Sequence, residues 1–301
     1  MSYEDTLHEI FVSDPRFMVL TAENRAAIRT LPERIPEQFL DTGITEQTMV
    51  GMAAGLALRH RIPVTHALAT FLTMRAFEFV RTDVGIANLP VKLVGAFAGF
   101  LSEANGPTHQ AVEDVALMRG IPHMNVFCPA DEQDMLLGLP VVLKSAAPFY
   151  IRYNDLPALV EHEPMVIGKA ETFGDGAEVA ILTYGMLCRQ ALQAKEILEG
   201  QGVSTRVVNL RTLKPVDESV LLAAARECSL VVTLEDHFQT GGLFSILAEV
   251  LLNHQRICRT LPICLKERWF KPARLEDVLE FEGFTGKAIS KEILTYLPGE
   301  K

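Results

Sequence analysis

The sequence has no apolar run approaching the ~18 residues that cross a bilayer, so no membrane-spanning helix is expected. Its start, MSYEDTLHEIF, is acidic and lacks the basic end and apolar centre of a signal peptide. Five cysteines (Cys128, Cys188, Cys228, Cys258 and Cys264) form no CxxC pair and sit among mainly apolar neighbours. They read as reduced core thiols, and with the missing leader they predict a cytoplasmic protein. Cations are in deficit: 28 Lys and Arg face 38 Asp and Glu, a formal charge of −10. That balance argues against a nucleic-acid role, though it leaves room for a local basic pocket. Internal repeats and low-complexity tracts are absent as well.

What is present is a long alternation of apolar runs and helical patterns. FMVL (17–20), IPVTHAL (62–68), VKLVGAFAGF (91–100), HMNVFCP (123–129) and FYIRY (149–153) are short, apolar and bounded by Pro, Gly, Asp or Asn, as buried parallel strands are. Helical spacing fills 46–60, 70–88, 110–119 and 131–145. The pattern breaks at 154–170, rich in Pro and acidic residues, and restarts with EVAILTYG, VSTRVVNL and SLVVTLED separated by helices. The prediction is an α/β protein with two doubly wound domains and mainly parallel sheets, 1–160 and 161–301.

Two polar islands interrupt the first domain. In DTGITEQTMVGMAAGLAL (41–58), Glu46 opens an apolar helix rich in Ala and Gly, where a carboxylate is costly unless it is protonated, shared or paired. A first-turn acid favoured by the helix dipole is the plainer alternative. Gly51 and Gly55 suit either packing on the parent sheet or close approach of a second copy of the helix. About sixty residues later, NGPTHQAVED places Asn105, Gly106 and Pro107 in a turn, with His109 as a helix begins. An imidazole at that point would be held neutral and able to donate to a carbonyl oxygen. A loop histidine without a role is the alternative. Phe71, Met74 and Phe77, at i, i+3 and i+6, read equally as core-facing residues of their helix.

GITEQ followed by AAGLAL, TFLTMRAFEFVRTDVGIANLPVKLVG, GPTHQAVEDVALMRGIPHMNVFCPAD and FYIRYNDLP closely resembles the C-terminal half of transketolases, above all the separate subunit of split transketolases. The 1-deoxyxylulose-phosphate synthases share GxxEQ and THQ. The resemblance implies a pyrimidine-binding domain of a thiamine-diphosphate enzyme followed by a transketolase C-terminal-like domain. It implies that Glu46 binds N1′ of the aminopyrimidine and stabilises the imino tautomer that activates C2. Phe71, Met74 and Phe77 would wall the pyrimidine, with Met74 where many relatives carry an aromatic ring. Glu23, in LTAEN, stands near the cofactor where relatives usually have aspartate. His109 matches the histidine on the donor ketose oxygen, and Arg152 an arginine on the sugar-phosphate tail.

Departures accompany these matches. Phe97 stands where relatives commonly have histidine, and Ala104 and Asn105 where they have an acidic pair, so the preferred donor or acceptor is expected to differ. GDG at 174–176 imitates the start of the family's metal motif, but the next asparagine, Asn209, is too distant, and a turn is predicted instead. Diphosphate and Mg²⁺ ligands are therefore expected from a separate N-terminal subunit, in an α2β2 assembly with an active site between chains. The reading is a transketolase-like transferase subunit that passes a two-carbon ketol unit from a ketose or ketose phosphate to an aldehyde. A β-type subunit of a 2-oxo-acid dehydrogenase and a non-catalytic assembly subunit are its rivals.

Overall fold

The structure, a computed structural model, describes residues 2–297. The chain opens with α1 (Tyr3–Ser13), capped by the Ser2 hydroxyl, which accepts from the Asp5 amide. Tyr3, Leu7 and Phe11 recur at i, i+4 and i+8 and form its buried face. There follow β1 (Phe17–Thr21), α2 (Leu31–Arg34), β2 (Phe39–Asp41), α3 (Glu46–Leu58) and β3 (Ile62–Leu68). A helical stretch through 71–86 contains α4 (Phe77–Phe79) between two π-helical segments and leads to β4 (Lys92–Ala96). After it come α5 (Asp114–Arg119), β5 (Asn125–Phe127), α6 (Glu132–Lys144) and β6 (Phe149–Arg152).

The second half runs β7 (Glu171–Phe173), β8 (Val179–Thr183), α7 (Cys188–Glu199), β9 (Thr205–Asn209), β10 (Thr212–Lys214), α8 (Glu218–Glu227), β11 (Leu230–Phe238), α9 (Leu243–Asn253), β12 (Thr260–Leu265), α10 (Leu275–Glu282) and α11 (Gly286–Tyr296). Two mostly parallel sheets result, in the orders β10-β5-β6-β4-β3-β1-β2 and β12-β11-β8-β9-β7. The α/β class read from the alternating runs is the fold observed. One strand crosses the expected division: β10 comes from the second half yet pairs antiparallel with β5 of the first sheet. The GDG segment lies in the irregular connection between β7 and β8, with no turn assigned at 174–176.

Two features of the first sheet position a site. β1 lies between β2 and β3. Leu31 of α2 packs in the cluster containing Val19 and Val64, whereas Met49, Val50 and Ala53 of α3 pack with Leu20 and Leu93. Successive side chains of a strand face opposite ways, so these helices cover opposite faces of the sheet. The carboxyl ends of β1 and β3 therefore flank a topological switch point, where open α/β sheets leave a crevice. The segment between the domains is irregular but firmly held. His162 Nε2 lies 2.8 Å from Asp131 Oδ2 and its Nδ1 2.7 Å from Glu171 Oε2.

Candidate active site

Glu46 is the first residue of α3 and is buried at 2% exposure. The turn before it is set by Gly43, at φ +68°, whose amide donates to Asp41 Oδ1 at 2.9 Å. Burial would strand this carboxylate, but Arg75 Nη1 donates to its Oε2 at 2.9 Å. The same guanidinium carbon lies 4.0 Å from the centroid of the Phe71 ring. Phe71 in turn meets the His109 ring edge-on, with centroids 5.1 Å apart. Thr70 Oγ1 adds a 2.7 Å bond to the His109 carbonyl. The two polar islands thus converge, joined through Arg75 and Phe71. Sequence reasoning missed Arg75; the available signal was a lone cation in the otherwise apolar FLTMRAF.

Phe71, Met74 and Phe77 lie on a distorted helix. The Ala76 amide donates to the Phe71 carbonyl at 3.0 Å, an i→i+5 closure of the kind found at functional sites. Leu72, Thr73, Ala76 and Val80 face the core, leaving Phe71, Met74 and Phe77 half-buried. Phe77 still leans on the core cluster. On α3, Ala53, Ala54 and Ala57 are buried, whereas Gly55 is exposed, with open space where a Cβ would stand.

Two sequence expectations need correction. His109 is not at a helix start: it lies in a turn, and α5 begins only at Asp114, so the dipole argument for its ring loses its basis. A Thr108 hydroxyl 2.9 Å from Nδ1 is its local polar partner. Arg152, expected on a phosphate, is buried at 5% exposure and consumed inside the chain. Its Nε donates to Asp114 Oδ2 at 2.9 Å and its Nη1 to Asp236 Oδ1 at 2.7 Å. Asp114 also accepts from the Tyr150 hydroxyl at 2.6 Å. Burial raises the Asp236 carboxyl, and Arg152 opposes that rise.

The 97–113 segment, which carries Phe97, Ala104, Asn105 and His109, hangs on the second domain. The Phe100 amide donates to Asp236 Oδ2 at 3.2 Å, and Gln110 Nε2 to the Phe270 carbonyl at 2.9 Å. The Leu275 amide donates to Glu103 Oε2 at 2.8 Å, and the Phe238 amide to the Val112 carbonyl at 3.0 Å. Gly99 is required here: at φ +56°, a Cβ would fall 1.7 Å from Asp236 Oδ2. Ala104 and Asn105 are exposed on this segment. Phe97, 40% exposed, and Glu23, also exposed, adopt left-handed backbones at φ +59° and +64° beyond β4 and β1. Such conformations are uncommon for these residue types and concentrate where function imposes them.

Residues 1–155 match the family described as transketolase, pyrimidine binding domain, and residues 168–289 match transketolase, C-terminal domain. The chain belongs to the transketolase family. A 6-deoxy-6-sulfo-D-fructose transketolase subunit of Clostridium sp. strain MSTE9 is 38% identical over 255 residues, covering 83% of this chain and 79% of that one. A putative transketolase C-terminal section of Methanocaldococcus jannaschii is 32% identical over 305 residues, covering 99% and 96%. The 1-deoxy-D-xylulose-5-phosphate synthase of Synechococcus sp. strain JA-3-3Ab is 36% identical, covering 96% of this chain but only 46% of its own length. Among solved structures, a split-gene transketolase described as an inactive β4 tetramer superposes with a TM-score of 0.86 at 31% identity, covering 97% and 95%. Transketolases and these synthases imply dependence on thiamine diphosphate.

Proposed function

We propose that this chain is the C-terminal subunit of a split transketolase that moves a two-carbon ketol unit from a ketose to an aldehyde. The observation that carries the reading is the meeting of a buried carboxylate, Glu46, with a half-open apolar wall and His109. Those residues fit the ring end of thiamine diphosphate: Glu46 is the acid for a ring nitrogen, and Phe71, Met74 and Phe77 offer apolar surface. When bound, the cofactor supplies the electron sink for breaking a carbon–carbon bond.

The protein's part is positional and protonic. Glu46 would hydrogen-bond the ring nitrogen of the bound cofactor, and Arg75 orients its carboxylate for that contact. His109, anchored by Thr70 and pressed on Phe71, donates from its ring to the donor's carbonyl oxygen. Glu23 borders the cofactor from the end of β1. Phe97, Ala104 and Asn105 shape the sugar's surroundings. Arg152 is left out of substrate binding, because its donors are taken by Asp114 and Asp236.

A separate N-terminal subunit supplies the diphosphate and Mg²⁺ ligands, in an α2β2 assembly whose like subunits meet through α3 near Gly55. Mixing the chain with that subunit, thiamine diphosphate and Mg²⁺ tests the reading. C2 proton exchange is expected to need both chains and to fall at least 100-fold in Glu46→Gln. Unchanged exchange in that variant sinks the assignment.

A further inference from the structure

At the switch point between β1 and β3 lies a cavity of about 250 Å³. Asn24, His66, Phe97, Glu103, Tyr153 and Asp155 supply its polar and aromatic lining, and Leu275 of the second domain helps close it. Phe97, expected from the sequence beside the sugar, lines it, as does Asn24, the chain neighbour of Glu23; Glu46, Arg75, Phe71 and His109 are not in its lining. Its walls hold two carboxylates and, among the described residues, no lysine or arginine.

The remaining groups supply no cation either. Burial lowers His66 to about 4, so its ring is neutral near pH 7, and its Nε2 lies 2.9 Å from the Tyr3 hydroxyl. Its Nδ1 is buried and has no partner among the described residues. One Glu103 oxygen accepts from the Leu275 amide, and the other makes no hydrogen bond within the described residues. Asp155 is exposed, with a Tyr153 hydroxyl 3.4 Å away. Arg152 points its charge into Asp114 and Asp236 instead. A phosphate here would face two like charges without a counter-ion from this chain. Hydroxyl groups would instead find carboxylate acceptors.

We infer that this cavity receives the uncharged, hydroxylated chain of a sugar and disfavours a phosphate ester. The inference rests on the ketol-transfer reading and narrows its substrate class to non-phosphorylated sugars at this end.

The test uses the assembled pair with matched donors, fructose and fructose 6-phosphate. The native pair is expected to favour fructose by at least tenfold in kcat/KM. Asp155→Arg, at an exposed position that tolerates the change, is expected to erase or reverse that preference. A native preference for the phosphate ester, use of neither sugar by a pair that exchanges C2, or indifference to Asp155→Arg overturns the inference. C2 exchange in the same samples separates the two readings: if it is absent, the ketol-transfer reading fails. Ligand-observed NMR of the two sugars on the pair then still decides the cavity. A fructose binding signal that the native pair gives and Asp155→Arg abolishes sustains the inference, and tighter binding of the phosphate ester overturns it.

Discussion

Arg75 Nη1 donates to Glu46 Oε2 at 2.9 Å, across 29 residues of sequence. The pair is asymmetric: the Glu46 side chain is 3% exposed and that of Arg75 39%. A fully buried pair broken on one side costs about 3–5 kcal/mol, and an exposed one about 1 or less. For Arg75→Met we therefore expect a loss of about 1–3 kcal/mol in urea unfolding of the chain alone. Combining it with Glu46→Gln should recover part of that loss, since the stranded charge is then gone. Additive effects would mean that the pair does not couple.

Asp236 links the domains more tightly. It accepts from Arg152 on one oxygen and from the Phe100 amide on the other, and all three groups are buried. Asp236→Ala leaves Arg152 one carboxylate short in a dry site, so we expect a loss of about 3–5 kcal/mol. Hydrogen exchange should report where it falls. Amides of 97–113 should lose protection before those of β1 and β3, because four tethers of that segment run to the second domain, against bonds from Thr70 to His109 and from Leu117 to Glu113 in the first. Uniform loss across the sheet would assign Asp236 to global stability alone.

Much of this was readable in the chain, for physical reasons. Buried parallel strands are continuous apolar runs, which is why β1, β3, β4 and β6 fall where VKLVGA and its kin do. β2 and β10 have three residues each and carry polar side chains, too short for any period. The π-helical closure at Phe71 leaves the apolar spacing unchanged, so only hydrogen bonds reveal it. GPTHQ resembles a helix start because its residues suit both a turn and a cap, and the turn prevails. Glu46 and His109 were visible as misplaced polarity. The fate of Arg152 was not, because its partner Asp236 lies 84 residues on and no local pattern encodes a contact between domains.

His162 gives the interdomain segment a pH signature. Burial opposes its charge, but hydrogen bonds to Asp131 and Glu171 outweigh that and hold it up to about 9. Both carboxyls are pushed down by His162 against their own burial. A folded pKa raised above the unfolded ~6.5 stabilises fully below pH ~6.5 and fades as pH climbs through about 9. The shift corresponds to about 3 kcal/mol at most. Unfolding free energies of native chain and His162→Gln should therefore differ most near pH 6 and converge by about that amount towards pH 10. The carboxyls contribute above their unfolded range and lose that contribution as pH falls below about 4. A difference that stays constant from pH 6 to 10 would show His162 to be uncharged in the fold.

Phe97 offers the cleanest separation of sugar recognition from cofactor activation. It is 40% exposed, lines the cavity, and lies outside the contacts that join Glu46, Arg75, Phe71 and His109. Its left-handed backbone is one that histidine adopts more readily than most residues, so Phe97→His should change stability by about 0.5 kcal/mol or less. The new ring adds a donor and an acceptor beside the sugar and removes apolar surface. Donor selectivity, read as the ratio of kcat/KM for two ketoses, should move by about tenfold, the worth of one hydrogen bond of ~1.4 kcal/mol. C2 exchange should stay within about twofold, because nothing that holds Glu46 has changed. If exchange falls as far as turnover, Phe97 supports the cofactor end of the site, and the division between the two regions is wrong.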